Sequence, residues 1–346
     1  MKSWDVIIAG AGIIGMSLAL ELRQRGADVL LLDRAEPGSE ASSAAAGMLA
    51  PADPETPEAL RPLAMASARI FPSFVQRLES AGHMQVDFRR VGTIALLEED
   101  AAPHDYRSIP IAKLQRLEPS LSSSGHSAFF VQEDSVDPLL LTQAALVAAR
   151  NSGIEIRGHT PVAEMRAHDK GVEVVTQTRT FFCASAIDCR GAWSGAPVRP
   201  RKGQMLYVDP QALLLRHVLR TPEVYLVPRS TGKTLIGATV EDVGFDKSVN
   251  PAVIGQLVSA AAKYLPALAS APIIQSWAGL RPGTPDGLPI IGPTDTTRVF
   301  AATGHFRNGI LLAPITAQIM ADLVQNRPSS HDIRPFSPGR FHSTQK

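Results

Sequence analysis

The chain has 346 residues, of which 45% are hydrophobic and 19% are charged, and its formal net charge is +1. This composition is that of an ordinary globular protein with enough apolar material for a large core. It excludes a disordered chain, which combines low hydrophobicity with high net charge, and a dedicated nucleic-acid binder, which carries an excess of basic residues. The length predicts two domains, or one large domain with an excursion.

The two cysteines are too few for a disulfide framework. Cys183 and Cys189 also match no common zinc-binding spacing, and the nine histidines form no His-x-x-x-His pair. We interpret both cysteines as small core residues, which is the usual state of a free cysteine. The sequence therefore predicts no metal site.

An apolar stretch near the N-terminus resembles the core of a secretion signal. Residues 6–20 carry no charge, but Asp5 precedes them, Glu21 follows them and three glycines interrupt them. The stretch is also shorter than the roughly 20 residues that span a bilayer. Because no other stretch is long and apolar enough, we expect a cytoplasmic protein that does not span a membrane.

The first 33 residues have the pattern of a dinucleotide-binding βαβ unit. Residues 5–10 predict a short buried strand, residues 16–25 a helix and residues 28–33 a second buried strand. Between the first strand and the helix lies the sequence Gly-Ala-Gly-Ile-Ile-Gly at 10–15. This G-x-G-x-x-G fingerprint in its required context predicts dinucleotide binding.

Each glycine of the fingerprint has a physical role. Gly10 permits the tight turn, Gly12 lets the backbone approach a pyrophosphate, and Gly15 lets the helix pack closely on the strand. The helix N-terminus offers unpaired N–H groups to the phosphates. Asp33, at the end of the second strand, accepts hydrogen bonds from ribose hydroxyls and argues against the 2′-phosphate of NADP. The motif alone does not separate NAD from FAD.

A stretch of small residues follows the second strand. Residues 34–40 form a polar loop, and residues 41–51 read Ala-Ser-Ser-Ala-Ala-Ala-Gly-Met-Leu-Ala-Pro. A plain NAD domain continues directly into another βαβ unit, whereas small residues let a bulky group such as a flavin approach the backbone. The plainer interpretation is a flexible linker or the start of a helix.

At this point the sequence resembles the D-amino-acid oxidase-like superfamily of flavoproteins. The stretch at 41–51 is similar to the glycine oxidases of thiamine biosynthesis within it. Residues 277–292 (Trp-Ala-Gly-Leu-Arg-Pro-Gly-Thr-Pro-Asp-Gly-Leu-Pro-Ile-Ile-Gly) and 302–314 (Ala-Thr-Gly-His-Phe-Arg-Asn-Gly-Ile-Leu-Leu-Ala-Pro) are similar to the two C-terminal motifs of that family. The resemblance extends from residue 5 to about residue 326.

The resemblance implies an α/β protein (α+β overall) with two interleaved domains. A discontinuous Rossmann-like FAD-binding domain would comprise residues 1–82, 137–202 and 280–346. A substrate domain would comprise residues 83–136 and 203–279. Alternating stretches within the second of these segments predict an antiparallel sheet, which would form the floor of a substrate site over the flavin.

The resemblance also implies non-covalent FAD and a set of residues that hold it. The set is Gly10, Gly12, Ile13, Ile14, Gly15, Asp33, Arg34, Ala41, Ser42, Ala46, Gly47, Met48, Val162, His305, Phe306, Arg307, Asn308, Gly309, Ile310 and Leu311. Val162 would contact the adenine through its backbone. The turn at 304–310 would wrap the pyrimidine end of the flavin, where a following helix N-terminus favours the negative charge of the reduced ring. We assign His305 a backbone or packing role, and we treat residues 186–194 as supporting structure.

Three side chains are the candidates for substrate binding. Arg281 lies in a Gly-Leu-Arg-Pro motif, and its guanidinium matches a carboxylate with two parallel hydrogen bonds. Tyr225 and Arg307 match family residues on the same side of the flavin. The plainer interpretations are an ion pair for Arg281 and a core aromatic for Tyr225. We name no catalytic side chain with certainty, because the flavin itself accepts the hydride at N5.

The implied activity is oxidation of glycine, and also of sarcosine and small D-amino acids, to an imine and then glyoxylate and ammonia, with hydrogen peroxide as the second product. The imine would enter thiazole synthesis for thiamine. The expected partners are a small amino acid and oxygen, without nucleic acid, and the family suggests a homotetramer. Val240 and Glu223 differ from family relatives near the substrate, which leaves the choice among small substrates open.

Other functions remain compatible with the motifs. A dehydrogenase of the same superfamily, acting on a D-amino acid or sarcosine, would pass its electrons to a quinone or another carrier. A nicotinamide dehydrogenase would use only the first fingerprint. A non-catalytic FAD-binding protein would have no use for both arginines and the tyrosine. The yellow colour of bound flavin would exclude the nicotinamide dehydrogenase. Comparison of the turnover rate with oxygen and with an artificial dye as electron acceptor separates an oxidase from a dehydrogenase.

Overall fold

The computed structural model describes residues 2–103, 106–122 and 125–344. The strands within these residues are β1 (Ser3–Ala9), β2 (Val29–Leu32), β3 (Met48–Leu49), β4 (Phe88–Arg89), β5 (Thr93–Leu97), β6 (Arg107–Ser108), β7 (Ser127–Val131), β8 (Asp134–Val136), β9 (Glu155–Arg157), β10 (Val162–His168), β11 (Gly171–Thr176), β12 (Thr180–Asp188), β13 (Arg199–Val208), β14 (Val218–Arg220), β15 (Tyr225–Pro228), β16 (Thr234–Gly237), β17 (Ile273–Gly283), β18 (Ile290–Pro293) and β19 (Val299–Thr303). The α-helices are α1 (Ile13–Gln24), α2 (Arg61–Gly82), α3 (Ile111–Leu117), α4 (Pro138–Asn151), α5 (Pro251–Tyr264) and α6 (Gly309–Val324). Short 3₁₀ helices include Gly191–Trp193 and Phe306–Asn308.

The first sheet has the order β10-β11-β12-β1-β2-β9, with β19 beside β12 and β18 beside β19. Parallel pairs join β9, β2, β1, β12 and β19. Antiparallel pairs add β10, β11 and β18. The carboxyl ends of the parallel strands therefore meet at one edge of the sheet, which is where ligands bind in open α/β sheets.

Both faces of β1 are buried, which explains its continuous apolar sequence. Val6 and Ile8 pack into the core beneath α1, α2, α4 and α6, whereas Ile7 and Ala9 pack on the opposite face. The predicted strand, helix and strand at the N-terminus are confirmed as β1, α1 and β2.

Helix α2 contains Pro72, a residue that normally kinks or ends a helix. It runs without interruption through Pro72. Phe71, Phe74 and Leu78 are buried along one side of α2, and this packing maintains the helix although Pro72 removes one backbone hydrogen bond.

The second sheet has the order β17-β13-β16-β15-β14-β5-β7-β6. Its pairs are antiparallel except for β14 with β5. Leu206, Leu226 and Ile236 on one face belong to a core that includes Leu257 and Ala261 of α5. The opposite face carries Met205, Val227 and Leu235, so alternate residues of each strand supply a core and a second, separate surface.

A third, small sheet of order β3-β8-β4 lies beside the second. Arg229 connects the two, since its buried guanidinium donates to the carbonyl oxygens of Val136 (3.1 Å) and Ala46 (2.8 Å). The predicted α/β fold with an antiparallel sheet is thereby confirmed. In the part of the chain that the structure describes, a helix with the length and apolarity needed to cross a membrane is not found.

Candidate functional site

A cavity of about 1060 Å³ opens between the carboxyl ends of β1, β2 and β19 and the free face of the second sheet. Its volume exceeds that of the pockets that enclose a drug-sized ligand. The predicted site residues that line it are Gly10, Gly12, Ile13, Ile14, Asp33, Arg34, Ala41, Ser42, Ala46, Gly47, Met48, Val162, Tyr225, Arg281, His305, Phe306, Arg307, Gly309 and Ile310. Gly15, Asn308 and Leu311 lie outside this lining.

The glycine loop forms the inner end of the cavity. Gly10 has a φ of +106°, a conformation that only glycine adopts readily. A Cβ atom at Gly15 would collide with the Gly10 carbonyl oxygen, so Gly15 sets the close packing of α1 on β1. The Ile13 N–H donates to the hydroxyl oxygen of Ser42 at 2.9 Å. This end of the cavity is therefore made of backbone, with one hydroxyl beside it.

Asp33 ends β2 at the border of the cavity. Its carboxylate accepts from the N–H groups of Ala11 (2.6 Å) and Ala35 (2.9 Å). Burial raises the pKa of Asp33, and the two backbone hydrogen bonds oppose that shift. Because each carboxylate oxygen has a second lone pair, Asp33 retains the capacity to accept hydrogen bonds from hydroxyl groups in the cavity.

Arg34 and the segment after β12 form the wall next to Asp33. The Arg34 guanidinium lies 3.9 Å from the ring centroid of Trp193 and 3.0 Å from Glu40. Arg190 donates to Asp188 (2.9 Å) and to the Val162 carbonyl oxygen (3.0 Å). Residues 186–194 are predicted to be supporting structure, and Arg190 and Trp193 of this segment line the cavity. The sequence feature that indicates this is the oppositely charged pair Asp188 and Arg190 at the end of β12.

One row of residues crosses the free face of the second sheet. Strand pairing sets Trp277 opposite Met205, Met205 opposite Gly237, Gly237 opposite Tyr225, and Tyr225 opposite Arg220. Paired residues share a face of a sheet, so this row forms the cavity floor. Arg220 was missed from sequence because only the strand register places it beside Tyr225.

Tyr225 and Arg281 are brought together on this floor. The Tyr225 ring lies over Gly237, where a Cβ atom would be 2.7 Å from its hydroxyl oxygen. The Arg281 guanidinium lies over Gly203 on the neighbouring strand and donates to the Thr239 carbonyl oxygen at 3.1 Å. Burial raises the pKa of Tyr225, and its hydrogen bond with Arg281 acts in the opposite direction. The hydroxyl therefore remains a donor at neutral pH.

The family of the chain follows from its sequence as a whole. The family described as FAD dependent oxidoreductase (DAO) matches residues 5–323. The chain belongs to this family. Its cofactor is FAD, and the cavity lies at the end of the G-x-G-x-x-G strand, the position at which this fold binds a dinucleotide.

Individual relatives of this DAO-family protein are similar over nearly its entire length. The bifunctional protein ThiO/ThiG of Trichormus variabilis is 35% identical over 359 residues, covering 97% of this chain and 55% of that protein. Hydrogen cyanide synthase subunit HcnC of Pseudomonas aeruginosa is 30% identical, covering 98% of this chain and 97% of that protein. The crystal structure of glycine oxidase from Geobacillus kaustophilus superposes with a TM-score of 0.94 at 30% identity and covers 98% of this chain and 99% of that one. The chain thus spans about half the length of the first curated relatives it matches.

The C-terminal motif of the DAO-family protein approaches the cavity from the first sheet. His305 is buried, and its Nε2 lies 3.1 Å from the Thr316 hydroxyl of α6. Burial lowers the pKa of His305 to about 3, so the imidazole is neutral. Gly309 begins α6 at the cavity wall, which directs the positive end of the helix dipole there.

Arg307 is held by acidic residues that the sequence did not indicate. It lies 3.2 Å from Asp53 and also pairs with Glu55. Asp53 lies 2.8 Å from Arg220, whose guanidinium also donates to Tyr106 (2.7 Å) and pairs with Glu133 (3.1 Å). A buried ion cluster therefore underlies one side of the cavity. Asp53 and Glu55 lie in a Pro-rich turn of no recognisable motif, so only their placement reveals them.

The two departures from the family pattern lie at the cavity border. Val240 is 54% exposed, and Glu223 pairs with Lys263 at 2.7 Å outside the floor. Both line the cavity. Cys183 and Cys189 are free and buried, which confirms that they are core residues.

Proposed function

We propose that this protein oxidises glycine with FAD, yielding the imine, then glyoxylate and ammonia, and hydrogen peroxide. Sarcosine and small D-amino acids would be further substrates. The observation that carries the proposal is the Arg281 guanidinium beside the Tyr225 hydroxyl, on the floor of the cavity that begins at the glycine loop. Relatives that are named glycine oxidase support it, and they match nearly the whole of this chain.

The residues at the inner end of the cavity fit FAD. Gly10, Gly12 and the N-terminus of α1 would hold the pyrophosphate, since backbone N–H groups and a helix dipole favour anions. Asp33 would accept from the ribose hydroxyls, and Ser42 adds a hydroxyl at the same helix terminus. The segments at 41–48, 162 and 305–311 would complete the site.

The floor would bind the substrate. The Arg281 guanidinium offers a planar pair of charged donors to the α-carboxylate. The Tyr225 hydroxyl supplies a further donor and is kept protonated by the burial that raises its pKa. When bound, FAD supplies the acceptor for two electrons. The contribution of the chain is to orient the α-carbon and to keep water away.

Proton transfer would not involve His305. Its pKa of about 3 means that it binds protons poorly, and its Nε2 faces Thr316. The substrate would thus enter with a neutral amine, and His305 would pack the turn that carries Arg307.

We further propose the division of the chain into an FAD-binding domain (1–82, 137–202 and 280–346) and a substrate domain (83–136 and 203–279). The first and second sheets, which have separate cores, support this division. We propose a cytoplasmic homo-oligomer that supplies the imine to thiazole synthesis for thiamine. The relatives named ThiO/ThiG support that role.

A peroxide-coupled assay of purified, FAD-loaded protein tests the proposal. Glycine, sarcosine and D-alanine are compared side by side, and Arg281→Gln serves as the variant. We expect peroxide from glycine and a loss of about 100-fold in kcat/KM in the variant, since a charged hydrogen bond to a carboxylate contributes about 1.5–3 kcal/mol.

Other outcomes would change the assignment. Turnover with an artificial dye but no peroxide would make the protein a dehydrogenase. No turnover of any of the three substrates with either acceptor would refute an amino-acid oxidoreductase. Peroxide formation mainly from D-alanine would support the proposed reaction but assign a different substrate. Val240 and Glu223 would then be the first positions to substitute in a study of substrate preference.

A further inference from the structure

Arg281 is oriented by a neutral group rather than by a carboxylate. Its Nη1 donates to the Thr239 carbonyl oxygen at 3.1 Å, and a further hydrogen bond joins the guanidinium to Tyr225. In the ranges 2–103, 106–122 and 125–344, Arg281 takes part in no ion pair. A carbonyl group fixes the rotation of a guanidinium without neutralising its charge. The orientation of Arg281 therefore depends on how firmly the Thr239 peptide group is held.

Thr239 is held through its hydroxyl group. The residue follows β16 and lies outside the cavity lining. Its Oγ1 accepts from the backbone N–H of Gln204 at 2.9 Å and donates to a carboxylate oxygen of Glu241. Both bonds form at once because a hydroxyl group is a donor and an acceptor. One hydroxyl thus connects the peptide that orients Arg281 to strand β13 and to Glu241.

Glu241 is itself fixed to β13. The Nε2 of Gln204 donates to its Oε1 at 2.8 Å. The Nζ of Lys202 lies 3.9 Å from its Oε2, and two backbone hydrogen bonds of 2.9 Å join Glu241 to Lys202. Both the main chain and the side chain of Glu241 are therefore held, which leaves little freedom for the Thr239 hydroxyl that bonds to it.

The charge of Glu241 is paired with a lysine and not with the arginine. Burial acts to raise the pKa of Glu241, but hydrogen bonds from Thr239 and Gln204 and the charge of Lys202 lower it below its usual value. Lys202 is buried and also pairs with Asp246 at 2.9 Å. Glu241 is thus ionised at neutral pH while the charge of the arginine stays available to a ligand.

The network lies on the face of the second sheet opposite the cavity. Lys202 and Gln204 alternate along β13 with Gly203, over which the Arg281 guanidinium lies, so their side chains project to the other face. Gln204 is 1% exposed, and its side-chain oxygen accepts from the N–H of Asn250, the N-cap of α5, at 2.7 Å. The support of the arginine therefore reaches into the core behind the floor.

We propose that Thr239 and Glu241 are positioning residues for Arg281. They fix the Thr239 carbonyl group, and this group holds the guanidinium in the orientation that binds the α-carboxylate of the substrate. Neither residue belongs to the cavity lining, so both act through Arg281. As a statement about glycine, this inference rests on the proposed function. As a statement about carboxylate binding, it needs only the role of Arg281.

Titration with acetate and acetamide tests the inference without turnover. Acetate has the carboxylate of glycine without its amine, and acetamide has the same shape without the charge. Both are added to FAD-loaded protein while the flavin absorbance is followed. We expect the parent to bind acetate about tenfold more tightly, the effect of one charged hydrogen bond. Thr239→Val, which removes the hydroxyl, should reduce this preference by about fivefold, and Thr239→Ser, which keeps it, should retain the preference.

Thr176→Val is the matched control for the loss of a hydroxyl group. The Thr176 Oγ1 also makes two kinds of bond, donating to the Arg179 carbonyl oxygen at 2.8 Å and accepting from the Arg179 N–H at 3.2 Å. It lies in the first sheet, outside the cavity lining, so this variant should bind both molecules as the parent does. An unchanged preference in Thr239→Val, or an equal loss in the control, would overturn the inference.

A double variant distinguishes positioning of Arg281 from general loosening of the site. Arg281→Gln alone should bind acetate and acetamide equally. Addition of Thr239→Val should then change neither affinity, because the effect of Thr239 passes through the arginine. A further loss of acetate affinity in the double variant would contradict the inference. If Thr239→Val fails to fold, Glu241→Gln replaces it in both experiments, with an expected reduction of about two- to threefold.

Kinetics with glycine separate this inference from the proposed function. Thr239→Val should raise KM by about fivefold and change kcat little, a split that indicates weaker binding. A parent that prefers acetate but does not oxidise glycine would refute the proposed function and leave the positioning role to the titrations. A parent that binds acetate and acetamide equally would remove the carboxylate role of Arg281, and the inference with it.

Discussion

The two ends of the cavity are built in different ways. At the end of β1 the wall is backbone, and its parts come from residues 10–42, close together in the chain. On the second sheet the wall is side chains, and Arg220, Tyr225 and Arg281 come from three strands. A backbone site is thus encoded in neighbouring residues, whereas a side-chain site is encoded in the pairing of distant strands.

Glycine has a different purpose at each end. Gly15 allows one element of backbone to pack on another, since a Cβ atom there would meet the Gly10 carbonyl oxygen. Gly203 and Gly237 allow side chains to lie across the sheet, since Cβ atoms there would meet Arg281 and Tyr225. Backbone cannot move aside without disturbing the fold, but the end of a side chain can. Substitutions at the two ends should therefore fail in different ways.

The largest effect is expected from Gly15→Ala. In a helix, this exchange normally stabilises by up to about 1 kcal/mol. Here the new methyl group must displace β1 or α1, and we expect a loss of about 3 kcal/mol or more in the free energy of unfolding. Thermal denaturation and FAD content measure it.

Gly255→Ala is the control for this exchange. Gly255 lies in α5, and a Cβ atom there meets no other atom within 4 Å. We expect this variant to be as stable as the parent or more so. Equal stability of the two variants would show that the loop tolerates a side chain and that the contrast between the ends is wrong.

A smaller effect is expected from the neutral state of His305. Unfolded histidine binds a proton below pH of about 6.5, whereas folded His305 does so only near its pKa of about 3. Between these values the unfolded state binds more protons, so stability falls as the pH falls. We expect His305 to account for about 2–3 kcal/mol of lost stability between pH 7 and 4.5.

Urea unfolding of the parent and of His305→Gln at several pH values measures this contribution. The variant should be the less pH-sensitive of the two over that window. If the free energies of unfolding of the parent and the variant depended on pH in the same way, His305 would be protonated in the folded protein. The 304–310 turn would then place a positive charge beside the cavity.

The smallest effect is expected from Gly203→Ala. The methyl group would displace the Arg281 guanidinium and leave the strands in place, so we expect kcat/KM for glycine to fall by about tenfold, equivalent to about 1.4 kcal/mol. The melting temperature should change little. Gly283→Ala is the control, because its Cβ atom would meet Arg201, which does not line the cavity. Equal activities of both variants would remove Arg281 from the substrate site.

The same contrast explains what could be predicted from sequence. The turn after β1, α1 and Asp33 was accessible because its glycine spacing and its apolar strands are local features. Arg281 and Tyr225 were accessible only through a resemblance. Whether they act as proposed is what the assays above test.

Other parts of the cavity could not be predicted. Arg220 and Gly203 acquire their places from the register of antiparallel strands, which a single sequence does not specify. Asp53 and Glu55 lie in an irregular turn and meet Arg307 across some 250 residues of chain. Helix α2 continues through Pro72 because tertiary packing outweighs local propensity.

The strand order of the first sheet has a consequence for synthesis on the ribosome. β1 is among the first segments made, but its neighbour β12 follows about 170 residues later, and β19, which pairs with β12, comes after residue 298. A nascent chain therefore carries unpaired, apolar strand edges through most of translation, the state in which parallel sheets are prone to aggregate. The cavity lining extends to Ile310, so the FAD site is complete only after residues near 310 have left the ribosome. FAD therefore binds late in synthesis or after it.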